Sequence, residues 1–240
     1  MFPVLFNDSF PIYTYPLFMG VAWGISYYWS RTLFDFLSFD KIKFRAFYWG
    51  IFIFAWIGAK LLFVATTQTY DRFDLLRSQH FWAGGGFVFY GGLLGGLFFS
   101  FLALKFRIVS MQLIAMHVPI VALGHGIGRI GCYLVGCCYG AQCLRGLCLH
   151  SKIPVQLIEA GFLFLFVFFC FTKFWKKLDP VKQILFYCFS YSVFRFNIEF
   201  FRGDLARGMY GVFSTSQYVS LVLIVGILII YFLLLPAQRR

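Results

Sequence analysis

The residues best suited to chemistry in this chain are a few ionisable groups set in apolar surroundings. Arg129 stands in Gly-His-Gly-Ile-Gly-Arg-Ile-Gly-Cys-Tyr-Leu-Val-Gly-Cys-Cys-Tyr-Gly, residues 124–140, directly after a long apolar segment. Lys60 and Arg195 are the other basic residues within apolar stretches, and Glu159 and Glu199 are the acids. A charge at membrane depth is costly, so each needs a partner or a task. Three basic groups beside two acids suit a phosphate-bearing ligand, because the arginine fork matches phosphate oxygens bidentately. A purely structural reading stands beside it, with Arg195–Glu199 as an i,i+4 helix pair and Lys60–Glu159 as a buried bridge. That reading leaves Arg129 unexplained, since it has no acid at helical spacing.

The elements that carry these groups follow from composition. Of 240 residues, 61% are hydrophobic and only 12% charged, and the mean hydropathy is +0.80. Soluble domains carry about 25% charged residues. The chain therefore reads as an all-α integral membrane protein. A span needs about 20 mostly apolar residues. Seven stretches qualify: 12–29, 45–66, 87–104, 110–128, 153–174, 182–200 and 215–235. No linker, composition shift or internal repeat separates a second domain, so residues 1–240 are expected to form a single membrane domain of seven helices. The first residues lack a basic segment and a small-residue cleavage site, so no removable signal peptide is expected.

Loop charge sets orientation. One side carries Arg31, Lys41, Lys43, Arg45, Lys105, Arg107, Lys173, Lys176, Lys177, Lys182, Arg239 and Arg240. The other carries Arg72, Arg77, Arg145, Lys152, Arg202 and Arg207, diluted by Asp71, Asp74 and Asp204. The C-terminus is thus expected in the cytoplasm and the N-terminus outside. The net charge of +12 reads as basic loops facing anionic lipid rather than a nucleic-acid surface. At 1.5 Å rise per residue, position along a span gives depth. Lys60, Arg129, Gln156, Glu159, Arg195 and Glu199, with Tyr15 and Tyr90, all fall in the outer half, with Arg129 at the outer end of the fourth span. A polar chamber open to the outer leaflet is the expectation.

Around these groups, Gly95 and Gly96 suit close helix packing, while Gly84–Gly86 suits a loop that could admit a headgroup. Five cysteines, Cys132, Cys137, Cys138, Cys143 and Cys148, crowd the outer side in a C-x4-CC-x4-C-x4-C pattern. Disulfides, a metal site with His125 or His150, and free thiols all remain open, since the spacing is not a standard zinc pattern. Cys170 and Cys188 read as small buried hydrophobes. Among the histidines, His80 and His150 lie in outer loops and His117 lies within the fourth span. His125, one turn before Arg129, is the one that could act as a base.

These residues together resemble the prolipoprotein diacylglyceryl transferases of the bacterial inner membrane. Tyr13-Thr14-Tyr15-Pro16-Leu17 sits at the family's first-helix tyrosine, and Gly58-Ala59-Lys60 resembles a Gly-Ala-Arg element. The run from Gly85 to Leu93, with Tyr90-Gly91-Gly92-Leu93, resembles the His-Gly-Gly-Leu region. Gly128-Arg129-Ile130-Gly131 opens the signature. Ile153-Pro154-Val155-Gln156-Leu157-Ile158-Glu159-Ala160 resembles His-Pro-Thr-Gln-Leu-Tyr-Glu-Ala. Tyr191 with the run from Phe194 to Arg202 resembles the second arginine motif, and Ser214-Thr215-Ser216-Gln217 resembles Ser-Thr-Gly-Gln. The matches follow one another in order through nearly the whole chain.

The resemblance implies a seven-helix bundle that moves the diacylglyceryl group of phosphatidylglycerol onto the thiol of a lipobox cysteine, with release of glycerol phosphate and no cofactor. The implied partners are phosphatidylglycerol, a prolipoprotein signal peptide and the lipid bilayer. The implied location is the inner membrane with the site towards the outer leaflet. By the same resemblance Arg129 and Arg195 hold the phosphate, Tyr15, Tyr90 and Tyr191 line the site, and Glu199 and Arg202 orient Arg195. Lys60, Gly91, Gly92, Gly131, Gly140, Gln156 and Glu159 complete the substrate-binding set. The usual signature reads Gly-Arg-x-Gly-Asn-Phe-x-Asn-x-Glu, but this chain has Cys132, Val135 and Cys137 in place of the two asparagines and the glutamate. Tyr90 replaces the histidine, so Tyr90, Glu159 or His125 must serve as base if one is needed. The Cys-Cys-Tyr-Gly version marks a divergent branch. A related transferase with a different acceptor, and a non-catalytic lipid-binding or thiol-redox protein, are the alternatives.

Overall fold

A bilayer leaves the backbone of an apolar run little choice but helix, because no water is present to satisfy exposed amides and carbonyls. The structure, a computed structural model, bears this out in a largely helical chain. It describes residues 4–6, 12–38, 40–66, 72–77, 81, 87–143, 148–203 and 209–234. His80, Gly84–Gly86, Arg145, Arg207, Asp71, Asp204, Arg239 and Arg240, all used above, lie outside the described residues. The elements in order are β1 (Val4–Phe6), β2 (Ile12–Tyr13), α1 (Thr14–Phe36), α2 (Lys41–Thr66), α3 (Arg72–Arg77), α4 (Phe89–Lys105) and α5 (Met111–Met116). They continue with α6 (Val118–Val135), α7 (Val155–Phe169), α8 (Lys173–Lys177), α9 (Pro180–Ile198), a 3-10 turn (Glu199–Phe201), β3 (Met209–Tyr210), β4 (Phe213–Ser214) and α10 (Thr215–Ile229). The strands form two short antiparallel pairs, β1 with β2 and β3 with β4.

Among the described residues three helical stretches are long and apolar enough to cross a membrane: Lys41–Ala65, Met111–Val135 and Thr215–Phe232. Tyr90–Lys105 and Val155–Phe169 are apolar but shorter. At 1.5 Å per residue such helices fall short of a hydrocarbon core of about 30 Å. Each of the seven expected stretches coincides with helix, but the bounds shift. The largest correction concerns the stretch 110–128. Its helix continues to Val135, so Arg129 lies inside α6 and not at its end. Large apolar side chains stay exposed along these helices, among them Phe98 and Phe101 on α4, Leu165 and Phe168 on α7, and Val222 and Val225 on α10. Exposed apolar surface on this scale is what a lipid-facing protein presents.

The chain divides into two compact units, residues 30–114 and residues 1–29 with 115–240. In the first, α2 and α4 pack along each other. A Cβ added at Gly91 would collide with the carbonyl of Gly58, and one at Gly95 with the carbonyl of Phe54. Small residues here let two backbones approach as membrane helices do. Gly95 thus packs as expected, whereas Gly96 faces open space. Aromatic contacts extend the seam, with Phe34 and Phe44 rings 5.1 Å apart and Phe54 and Phe99 also 5.1 Å apart.

In the second unit α6 packs on α7, and α9 on α10. Val118 and Ala122 of α6, Leu163 and Phe166 of α7, Trp175 of α8 and Tyr191 of α9 share one core. The termini are well specified. Pro119 sits in the first turn of α6, where its missing N–H costs nothing. Gly136 ends α6 in the left-handed conformation at φ 84°, and its N–H returns to the carbonyls of Cys132 and Tyr133. Asp179 caps α9 ahead of Pro180. Ser214 and Gln217 form a reciprocal capping box on α10.

Candidate active site

The larger unit gathers most of the expected site residues into two charged clusters. The first is centred on Glu159, one turn into α7. Its Oε1 lies 3.0 Å from Arg129 Nε and accepts a hydrogen bond from the Tyr191 hydroxyl at 2.8 Å. His125 Nε2 is 3.6 Å from the same oxygen, and its ring meets Tyr191 edge-on at 5.2 Å between centroids. Four elements of chemistry thus come from three helices. Arg129 does have an acid, supplied by the next helix. Among the described residues, Glu159 pairs with Arg129.

The second cluster is built on Glu199, in the 3-10 turn that ends α9. Glu199 Oε2 is 2.8 Å from Arg195 NH1, the expected i,i+4 pair, and 3.4 Å from Arg202 NH1. Arg195 NH2 also donates to Ser216 Oγ at 3.2 Å. Arg195 and Glu199 are buried at 4% and 2% exposure. Two guanidiniums share one carboxylate, so this cluster carries a net positive charge. Arg195 is close enough to act electrostatically on Glu159 and His125, which couples the two clusters. Ser216 was not among the expected site residues. Its signal lies in the capping motif, which places it in the first turn of α10 facing the end of α9.

The segment after α6 holds the clusters in place. Gln156 Nε2 donates to the Cys137 carbonyl at 2.7 Å, so its amide secures this loop. Ala141 N–H bonds to Phe201 O, Gly203 N–H to Tyr139 O, and Ile153 N–H to Ala141 O. A Cβ at Gly140 would strike the backbone of Ile153, and one at Gly131 would come 2.9 Å from Phe18 Cβ and 3.5 Å from the Tyr15 ring. Both glycines therefore serve close packing, Gly131 bringing α6 against the tyrosine of α1. Within this loop the Sγ atoms of Cys132, Cys137 and Cys138 all lie within 4.8 Å of one another. Hydrogen bonds from Cys132 and then Cys137 draw the Cys138 thiol well below its ordinary range despite burial, with Arg129 and Arg202 adding to the effect. Cys143 and Cys148 form a disulfide. Of the five outer cysteines, two are thus joined in a disulfide and three, Cys132, Cys137 and Cys138, are not disulfide-bonded.

Lys60, Tyr90, Gly91 and Gly92 belong to the smaller unit. Lys60 is buried at 1% exposure and donates to the Phe81 carbonyl. Its ammonium lies 4.4 Å from the Phe81 ring centroid and 4.0 Å from that of Phe87. Rings hold a cation in this way through their negative faces. Gly91 is accounted for by packing on Gly58, and Gly92 lies against α2, where its Cβ would be 3.4 Å from the Ala55 carbonyl. Tyr90, which stands in α4, is half-buried.

Comparison with known proteins identifies the family. The family model described as "Prolipoprotein diacylglyceryl transferase" matches residues 3–233. The chain is 33% identical over 188 residues to the phosphatidylglycerol–prolipoprotein diacylglyceryl transferase 2 of Clostridium perfringens, covering 73% of this chain and 72% of that protein. It is 33% identical over 191 residues to the phosphatidylglycerol–prolipoprotein diacylglyceryl transferase of Clostridium tetani, covering 72% and 74%. A longer match, 28% identical over 246 residues, covers 92% of this chain and 82% of the Halalkalibacterium halodurans transferase. With its apolar helices and its buried arginine clusters, the chain is a multi-pass membrane enzyme and belongs to the prolipoprotein diacylglyceryl transferase family.

Proposed function

We propose that this protein transfers the diacylglyceryl group of phosphatidylglycerol to the thiol of a lipobox cysteine in a prolipoprotein signal peptide. Family membership supports the reaction class, and one observation supports its location. Two guanidiniums, Arg195 and Arg202, converge on a single carboxylate, and a third, Arg129, pairs with the buried Glu159. Such a surplus of fixed, water-shielded positive charge suits a phosphodiester in the ground state and the departing phosphate in the transition state.

In the reaction the acceptor sulfur bonds to the glycerol carbon as its bond to the phosphate oxygen breaks. The electron pair leaves on glycerol phosphate, and the thiol proton goes to a base or to solvent. Arg129 and Arg195 hold the phosphate. Glu159 and Glu199 orient them, and Tyr191 fixes Glu159. Tyr15 and Tyr90 line the site, and Arg202 meets the headgroup or the acceptor. Lys60, Gly91, Gly92, Gly131, Gly140 and Gln156 complete the substrate-binding set, the glycines by allowing close packing and Gln156 by bracing the loop after α6. We place all of this within a single domain of seven spans in the bacterial inner membrane. The N-terminus lies outside, the C-terminus in the cytoplasm, and the site opens to the outer leaflet.

The test is mass spectrometry of a lipobox peptide incubated with the purified protein and phosphatidylglycerol. The expected product is the peptide carrying one diacylglyceryl group on cysteine, with glycerol phosphate released in equal amount. A peptide with serine at that position should remain unmodified. Modification of the serine peptide, or none of either, sinks the reading.

A further inference from the structure

The three clustered thiols have no part in the proposed phosphate chemistry, yet they are the most specific feature of the loop after α6. Cys132 is buried in the last turns of α6, Cys137 follows the left-handed Gly136, and Cys138 itself adopts a positive φ of 57°. A non-glycine residue takes that conformation at a cost, and here it turns the third sulfur back towards the other two. The Cys137 N–H returns to the Cys132 carbonyl at 3.1 Å, and the Cys137 carbonyl is held by Gln156, so the cluster is braced from α6 and α7. Its three sulfurs lie within 4.8 Å of one another. Zinc–sulfur bonds of about 2.3 Å place the sulfurs of one tetrahedral ion about 3.8 Å apart. Closing on an ion therefore requires side-chain adjustments of about 1 Å or less.

We infer that Cys132, Cys137 and Cys138 bind one zinc ion and leave its fourth position open to the acceptor thiol. Thiolates are soft ligands that favour zinc among the common tetrahedral ions, and three protein ligands with one vacancy are the arrangement of catalytic zinc. Three thiolates and Zn2+ carry a net charge of −1. The surplus positive charge of the Glu199 cluster, whose Arg202 is within electrostatic reach of Cys138, offsets it. An acceptor thiol displaces water from the ion and releases its proton to solvent, because a coordinated thiol is deprotonated outright. The metal-bound thiolate then attacks the glycerol carbon, the C–O bond to phosphate breaks, and the electron pair departs on the phosphate. No protein base is required for this step. This inference rests on the transfer reaction proposed above.

The test uses the reduced full-length protein in detergent, with Co2+ as a spectroscopic substitute for zinc. Stoichiometric cobalt binding with tetrahedral ligand-field bands and thiolate charge-transfer bands is expected. Cys138→Ser alone should weaken those bands, and the triple change at Cys132, Cys137 and Cys138 to Ser should abolish them, with circular dichroism showing retained helix. A lipobox peptide should then shift the cobalt spectrum, and its serine counterpart should not. Failure of the reduced protein to bind cobalt or zinc, or bands that persist in the triple variant, overturns the site. Cobalt that binds but ignores every thiol overturns the open position. Full transfer by chelated, metal-free protein overturns thiol activation while leaving the transfer reaction intact. Binding and a thiol-induced shift without any lipid transfer leave the metal site standing and reject the reaction.

Discussion

The two arginine clusters of the larger unit hold their charge in opposite ways. Around Glu159 the account balances one to one, with Arg129 against a carboxylate that also serves a tyrosine and faces a histidine. Around Glu199 two guanidiniums share one carboxylate. A balanced buried pair is self-sufficient, and removing either partner strands a charge. An unbalanced cluster already has a surplus and can lend it to an anion. Position therefore differs in meaning for the two phosphate-binding candidates: Arg129 is bound into the fold, whereas Arg195 stands in the more electropositive surroundings.

The sharpest way to break this contrast is to remove each arginine and read transfer and stability separately. Both Arg129→Ala and Arg195→Ala should lower transfer by about 100-fold or more, the loss typical of removing one preorganised donor to developing charge. Arg129→Ala should also destabilise the protein by about 3–5 kcal/mol by leaving Glu159 buried and unpaired. Arg195→Ala should destabilise less, because Arg202 remains on Glu199. Equal losses of thermal stability in detergent would erase the distinction.

Glu159→Gln should cost about 3 kcal/mol for the same reason, and the Arg129→Met change placed on top of it should recover part of that loss. A thermal double-mutant cycle reads the coupling, and strictly additive losses would argue against a shared buried pair. Tyr191→Phe removes one hydrogen bond to Glu159 and should cost about 1–2 kcal/mol in unfolding experiments, with transfer reduced rather than abolished.

The smallest expected effect lies outside the membrane. The Asp179 carboxylate caps α9 by accepting from the Lys182 N–H at 3.0 Å and pairs with Lys182 Nζ at 2.7 Å. Partial burial opposes its ionisation, but these contacts with Lys182 win and hold it below the usual aspartate range. A depressed folded-state pKa stabilises fully above the unfolded value of about 3.9 and is lost as pH falls through the folded value. Asp179→Ala should therefore cost about 1 kcal/mol at neutral pH, and the gap between wild type and variant should close below about pH 4. Thermal melts across that range provide the check.

Much of this was legible in the residues themselves. The apolar runs marked the helices, and Arg195 and Glu199 announced their pairing through helical spacing, since i and i+4 share a face whatever the rest of the chain does. Motif order from Tyr15 to Gln217 carried the family. These features are local, or repeat in chain order, so they need no folded structure to be read.

Tertiary structure decided the rest. Arg129 and Glu159 lie on different helices, and no periodicity links them; only the packing of α6 on α7 makes them partners. The helix end was also set by context, since Gly136 stops α6 where its left-handed turn is satisfied and so leaves Arg129 inside the helix. The cysteines show the same division. Their density was plain from sequence, but which sulfurs meet depends on a turn at Gly136 and Cys138 and on the Gln156 brace from another helix. Residue types and spacings state which groups are present and which neighbours along one element can meet. Contacts between elements depend on where chain turns and helix packing bring separate segments together, and that placement belongs to the folded whole.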